Sequence, residues 1–474
     1  MLRLTVLHTN DLHGRVEQLA RVATLVRSIR QQVQGEGGVC FYFDCGDSED
    51  TRQLESSLTK GAAMDALLRA AGCDAAALGN AIPIRYGSQA IAGLAGAFGR
   101  PILCANLLNE QGEAIDGLLP YQTLQLGEFK LALLGLTDPM PPYETIFHLK
   151  TKAPKQILPE LIQKVRSDGA KTVILLSHLS SPVDLELVSL VPGVDLLLGG
   201  HDHQILYPPQ QVNGCWVAQA GQYGQHLGRL DLEVDEISGK VISLSAQLLD
   251  VPETLPQDEA VLQAMQKEQA HAQELMQKGI GRVEPSLDLA IDRECTTGSL
   301  LADALLARYP QAECALTLAG HWLTGLPAGE ISQGGLFAAC RSTANPCITR
   351  LTGAQILEFL RNGLKPENAS RVFDRHLRGG FVGWPHVAGL RVQWDGVNTA
   401  TVQVWLGSER LQETQIYNVA ATDMEFSEFI GYLLIPDEQV EYEVPIVVPE
   451  VLQEYITRNS PVRQIPGNRI TILH

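Results

Sequence analysis

The sequence predicts an α/β protein made of a large first domain, a linker helix and a second, smaller α/β domain. Three observations carry this. The first half alternates short apolar runs with stretches of helical periodicity. The apolar runs are continuous, as expected of strands covered by other layers. Around Val251–Pro256 the pattern changes to a polar helical stretch, Gln257–Lys278, and α/β alternation then resumes. The expected boundaries are residues 1–253, a linker over 254–280, and 281–474.

Each element has its own signal. "LTVLHT" (Leu4–Thr9) is rich in strand formers. Leu19, Val22, Leu25, Val26 and Ile29 then recur at helical spacing. "VCFYF" (Val39–Phe43) reads as the next strand, and Met64, Leu67 and Leu68 as the next helix. A short strand precedes Gly79, and "ILCAN", "LALLGL", "TVILLSH" and "VDLLLGGH" read as further buried strands. Beyond the linker, "TTGSLLADALLARY" is expected to be a helix with Thr or Ser near its start. "LTGAQILEFLRNGL" is a second helix ending at Gly363.

Composition narrows the function. The chain has 474 residues, 45% of them hydrophobic, and a formal net charge of −18. With no Lys/Arg run, nucleic acid is disfavoured as a partner. No segment approaches the roughly 20 apolar residues of a membrane span. No basic and apolar leader precedes the first strand, and the nine cysteines lack CxxC spacing. These features predict a cytoplasmic protein with reduced, mostly buried thiols. A monomer or small homo-oligomer is expected.

Five predicted strands end in side chains that bind metals. The first runs into Asn10-Asp11-Leu12-His13 and the second into Asp44-Cys45-Gly46-Asp47. The later ones run into Asn80, His178 and His201-Asp202-His203. Sites in open α/β sheets form where strands end, so Asp11, His13, Asp47, Asn80, His178, His201 and His203 are expected at one edge. Carboxylates, imidazoles and an amide suit Mn, Fe or Zn. Seven ligands suit two divalent metals sharing a carboxylate, about 3.5–4 Å apart. Taken singly, a strand-end His is usually a satisfied surface or core residue, and Asp11 or Asn80 could be turn residues. Those readings do not explain five such motifs, each after an apolar strand. His8, inside its strand, reads as structural, and Cys45 as packing behind its loop.

These residues carry a family resemblance. "HTNDLHG", "DCGD", "GN", "LLSH" and "GGHDH" resemble the blocks of calcineurin-like metallophosphoesterases. "QAGQYGQHLGRLDLEVD", "LPAGEIS", "LTGAQILEFL" and "YNVAATD" point to the bacterial 5′-nucleotidase branch, which includes UDP-sugar hydrolases and 2′,3′-cyclic phosphodiesterases. The resemblance implies a four-layer α/β/β/α first domain and a substrate-binding second domain. It also implies one metal held by Asp11, His13, Asp47 and His203 and another by Asp47, Asn80, His178 and His201. Asp47, Asn80 and His203 are expected to serve catalysis.

The sequence also departs from the family. The family's Gly-Asn-His-Glu block, with an Asp soon after, supplies a His-Asp dyad beside the metals. The matching positions here hold Ala81, Ile82 and, for the Asp, Ile84. Where the family's substrate loop has Ile-Arg, this chain has His321 and Trp322. Of the two rings that clamp a base in the family, one matches Phe381 and the other is replaced by Met424. The expected function is metal-dependent hydrolysis of a nucleotide-like or other small phosphoester, with an altered acid/base site. The alternative is a metal-binding pseudoenzyme with a ligand- or partner-binding role.

Overall fold

The computed structural model describes residues 1–50, 54–373, 377–463 and 467–473. Two compact units, Met1–Ala272 and Gln273–His474, divide within the helix Glu259–Gln277.

The strands of the first unit are, in chain order, β1 (Leu2–Thr9), β2 (Val39–Asp44), β3 (Ala75–Ala76), β4 (Tyr121–Leu126), β5 (Phe129–Thr137) and β6 (Thr172–His178). They continue with β7 (Leu196–Leu198), β8 (Ile205–Val212), β9 (Cys215–Ala220), β10 (His226–Val234) and β11 (Val241–Asp250). One sheet has the order β11-β10-β1-β2-β3 and the other β8-β9-β7-β6-β5-β4. The strands that precede the metal-binding motifs pair in parallel within each sheet: β1 with β2, β2 with β3, and β6 with β7. Their C-terminal ends therefore lie at one edge of each sheet.

Three buried clusters show why the layers stack. Leu4, Val6, Phe43, Leu133, Ile174, Leu176 and Leu198 fill the space between the two sheets. Leu7 and Tyr42 point the other way, against Leu19, Val22 and Val26 of the helix Val16–Gly35. Leu134, Val173 and Leu175 likewise meet Leu158 and Leu161 of the helix Pro154–Ser167. The central strands β1, β2, β5, β6 and β7 are buried on both faces, and the result is the α/β/β/α order. The "ILCAN" stretch contributes only a two-residue strand, Ile102–Leu103.

The second unit is built on a five-stranded sheet in the order Pro385–Ala388, Cys314–Leu318, Ile416–Thr422, Pro346–Thr352, Val440–Tyr442. The helix Gly353–Gly363 starts at a capping box, in which Thr352 Oγ1 accepts from the Gln355 backbone and Gln355 Oε1 from that of Thr352. The helix Thr296–Arg308 begins with Thr296 and Thr297, as the sequence predicts. Cys295 occupies the N-cap, and Asp288, eight residues before Thr296, accepts from the Thr296 N–H at 3.0 Å. Among the described residues no helix is long and apolar enough to cross a membrane. All nine cysteines are free and buried.

Candidate metal centre

Two loops are fastened together at the ends of β1 and β2. The Asp11 N–H donates to Gly46, that of His13 to Asp47 and that of Gly14 to Ser48, at 2.8–2.9 Å. This brings Asp11, His13 and Asp47 side by side. Asp11, His13, Asp47, His201 and His203 all have positive φ, from 44° to 83°. Left-handed backbone costs a residue with a side chain roughly 1–3 kcal/mol and concentrates at functional sites. Glycine serves the remaining tight approaches. A Cβ on Gly46 would lie 2.7 Å from His178 Nδ1, and one on Gly79 2.1 Å from Asp47 Oδ1.

Asp11 is wholly buried. Its Oδ2 accepts from Asn10 Nδ2 at 2.7 Å and from the His201 N–H at 2.9 Å. Its Oδ1 has no hydrogen-bond partner and faces His203 Nε2 at 3.3 Å and His13 Nε2 at 3.7 Å. Those two nitrogens are 3.1 Å apart. Burial pushes the Asp11 carboxyl up, but the imidazoles of His13 and His203, with the charge on His178, hold it well below the usual carboxylate range.

Asp47 connects this group to a second one. Its Oδ1 accepts from the Ala81 N–H at 2.8 Å. Its Oδ2 lies 4.0 Å from His13 Nε2 on one side and 3.4 Å from His178 Nε2 on the other. His178 Nδ1 lies 2.8 Å from the Cys45 carbonyl, which it can meet only as a donor, leaving Nε2 toward the centre. Burial lowers the His178 pKa, and attraction to Asp47 outweighs it, bringing the value up to about 10. Asn80 Oδ1 lies 3.1 Å from His178 Nε2 and 2.9 Å from His201 Nδ1. All seven sequence-predicted metal ligands thus meet in one place. Two sets of ligand atoms, on Asp11, His13 and His203 and on Asp11, Asp47 and His178, are close enough to share a cation. A donor set of imidazole, carboxylate and amide around an unpaired buried oxygen fits divalent transition metals.

Sequence reasoning missed two contributors, Asp138 and Tyr223. Asp138 Oδ2 lies 3.7 Å from His201 Nε2, where a carboxylate can orient a ligand imidazole. Tyr223 packs edge-on against both His13 and His203 and carries Arg15 over its ring at 4.7 Å. Asp202, between two ligand histidines, turns away to bind Ser181 and Gln219. No spacing rule would have found Asp138 and Tyr223, because each comes from a loop outside the motif of the histidine it meets. Cys45 packs behind its loop, wholly buried, and burial pushes its thiol far up. His8 is buried inside its strand and bonded to the Tyr207 hydroxyl at 2.7 Å.

The residues singled out in the second unit lie differently. His321 is fully buried, with Nδ1 2.7 Å from Ser342 Oγ and Nε2 3.0 Å from Glu425 Oε1. Trp322 is 1% exposed and belongs to the core of this unit. Phe381 is half-buried in a two-residue strand paired with Val372. Burial and satisfied nitrogens make His321 a core group, which argues against its touching a substrate directly.

Comparison with known proteins agrees with this geometry. Residues 278–434 match the family described as "5'-nucleotidase, C-terminal domain". The chain is 27% identical over 457 residues to a Bacillus subtilis (strain 168) protein named "Uncharacterized metallophosphoesterase YunD", covering 95% of this chain and 98% of that one. It is 25% identical over 524 residues to the Bos taurus 5′-nucleotidase, covering 96% of this chain and 88% of the relative. The fold matches the crystal structure of a 5′-nucleotidase precursor from Thermus thermophilus with a TM-score of 0.53 and 22% identity, covering 100% and 99% of the two chains. It matches Haemophilus influenzae NAD nucleotidase with a TM-score of 0.56 and 15% identity, covering 99% of each chain. With the strand-end ligand set and these full-length likenesses together, the chain is similar throughout to 5′-nucleotidases and metallophosphoesterases, and it shares the fold of the two-domain 5′-nucleotidases.

Proposed function

We propose that the protein hydrolyses a small phosphoester at a pair of divalent metal ions, with Asp11, His13, Asp47 and His203 on one ion and Asp47, Asn80, His178 and His201 on the other. One observation carries the reading. Asp11 Oδ1 is buried and unpaired, aimed at two imidazole nitrogens, while Asp11 Oδ2 takes two donors. An unpaired buried carboxylate oxygen is costly unless a cation meets it. A bound metal pair would activate water and stabilise charge on the phosphoryl oxygens. The protein's own part is to hold these ligands. Asp47 Oδ2 stands between both groups while the Ala81 N–H fixes its other oxygen. Asp138 would orient His201.

The substrate follows from what the chain lacks. Ala81 contributes a backbone donor to Asp47, and its methyl can neither give a proton nor carry charge. Ile84 is half-buried on the short helix Pro83–Tyr86. A leaving group that departs without a proton, such as a phenolate or a phosphate, therefore suits this site better than an alkoxide. The test is a screen of purified protein loaded separately with Mn, Zn, Fe or Mg against aryl phosphates, phosphodiesters and nucleotides. Turnover that depends on the metal and is lost in Asp47→Asn supports the reading. Two bound metals with no turnover of any class would replace it with a ligand- or partner-binding role.

A further inference from the structure

The strand β11 forms one outer edge of its sheet and pairs only with β10. Among the described residues, no other backbone group bonds to its free side. In an antiparallel ladder alternate residues face the neighbouring strand, so about half of the N–H and C=O groups of β11 point away from the sheet. None of its ten residues is buried, which leaves these groups open to a partner.

Free edges pair readily with other chains, and folded proteins blunt them by shortness, charge, proline or bulges. The other edges of the first unit use two of these devices. β3 has two residues and β4 six. β8 carries Pro208 and Pro209 and breaks register between Leu206 and Gln210. β11 is the longest of the four and has neither a proline nor a charge from Val241 to Leu249. Its one irregularity is the extra residue Ile242 near its start, which is 59% exposed. Ser243–Asp250 then runs in unbroken register.

The order of residues along this edge is self-complementary. Two copies paired antiparallel about a two-fold axis place each residue opposite the one equally far beyond the centre. With the axis at Ser245, Ser243 meets Gln247 and Leu244 meets Ala246. Leu244 and Ala246 already pack on the cluster between the two sheets, so the contact continues that apolar layer. Further out, exposed Ile242 comes to Leu248, and Lys240 comes to Asp250, so opposite charges close both ends. The bulge displaces Lys240 by about one residue, roughly 3.4 Å, which its long side chain can span. An axis at Ala246 would instead set Ile242 against Asp250, and one at Gln247 would set Leu244 there.

We propose that β11 is a self-association edge, at which a second copy of this chain pairs antiparallel about a two-fold axis at Ser245 and makes one sheet continuous through both copies. The inference is independent of the metal centre.

Sedimentation equilibrium of the full-length protein tests it, with circular dichroism as the control for folding. The wild type should show twice the mass of one chain. Ser245→Glu sets two carboxylates about 4.5–5.5 Å apart across the axis and should return the mass to that of one chain. Single cysteines then read the register, since all nine native thiols are buried. Under air with copper phenanthroline, Ser245→Cys should form a disulfide-linked dimer. Ser243→Cys alone and Gln247→Cys alone should not, because like residues stand about 14 Å apart along the pair. An equimolar mixture of those two variants should cross-link. A wild type of single mass at every concentration would overturn the proposal. So would a dimer that Ser245→Glu leaves intact, or Ser243→Cys cross-linking as fast as Ser245→Cys.

Discussion

Replacing Gly79 by alanine is a severe test of the metal centre, because the substitution is small and its consequence is large. Gly79 does not have a left-handed backbone, so alanine is conformationally acceptable there. The obstacle is steric. The new methyl would stand 2.1 Å from Asp47 Oδ1 and 2.2 Å from the Asp47 backbone nitrogen, where real contacts do not fall below 3.0 Å. Something must retreat by roughly 1 Å, and a misplacement of that size can cost about 10²-fold in rate. The crowded backbone nitrogen cannot swing aside as a side-chain tip can, so Asp47 itself is displaced. Overpacking of this kind costs about 1–3 kcal/mol of stability, which leaves a domain of this size folded. The assay is kcat on an aryl phosphate, with metal content by elemental analysis and circular dichroism as the control for folding. Gly79→Ala should remain folded, lose about two orders of magnitude in kcat and retain less metal. A folded variant with full metal content and full kcat would refute the placement of Asp47 at the centre.

Three further outcomes are expected. Asp47→Asn should weaken both metal positions together, seen as loss of more than one metal per chain on dialysis, because Oδ2 stands between the two ligand groups. Ala81→His with Ile84→Asp should raise hydrolysis of alkyl phosphates by up to about 10²–10⁴ while aryl phosphates gain little, measured as a ratio of kcat/KM values. Asp184 is wholly buried and bonded to Ser177 at 2.5 Å, and burial raises its pKa from 3.8 to about 8. A carboxyl raised on folding binds its proton more tightly in the native state, so its contribution is full below about 4 and lost as pH rises towards 8. Asp184→Asn should therefore flatten the fall of melting temperature across that window, and an unchanged pH profile would show that Asp184 does not titrate there.

Much of the metal centre was readable because its logic is local. An apolar run gives a buried strand, and the residues just past it must lie at the sheet edge. Asp11, Asp47, Asn80, His178 and His201 each follow such a run, and all reach the same place. The backbone that presents them was not readable. Nothing in "NDLH" or "GGHDH" requires the left-handed conformations of Asp11, His13, His201 and His203, since only glycine advertises that freedom. Asp138 and Tyr223 were invisible for another reason: their relation to the histidines exists only after two distant loops meet. The helix Thr296–Arg308 and the threonines at its start were readable, but the bond from Thr296 to Asp288 was not, because Asp288 reaches it from outside the reading window. His321 shows the limit most clearly. Its position in the chain suggested a substrate loop, whereas burial beside Ser342 and Glu425 makes it part of the core.

The backbone bonds between the first two strand-end loops have a thermodynamic consequence. With Asp11, His13 and Gly14 tied to Gly46, Asp47 and Ser48, these loops extend the sheet beyond its last residues. Their order comes from the hydrophobic layers below, so the chain rather than the ion bears the entropic cost of assembling the ligands. Small zinc modules divide that work differently, since there the metal folds the chain. A cation held there should therefore be exchangeable without unfolding the chain, and an equal melting temperature before and after chelation would check it.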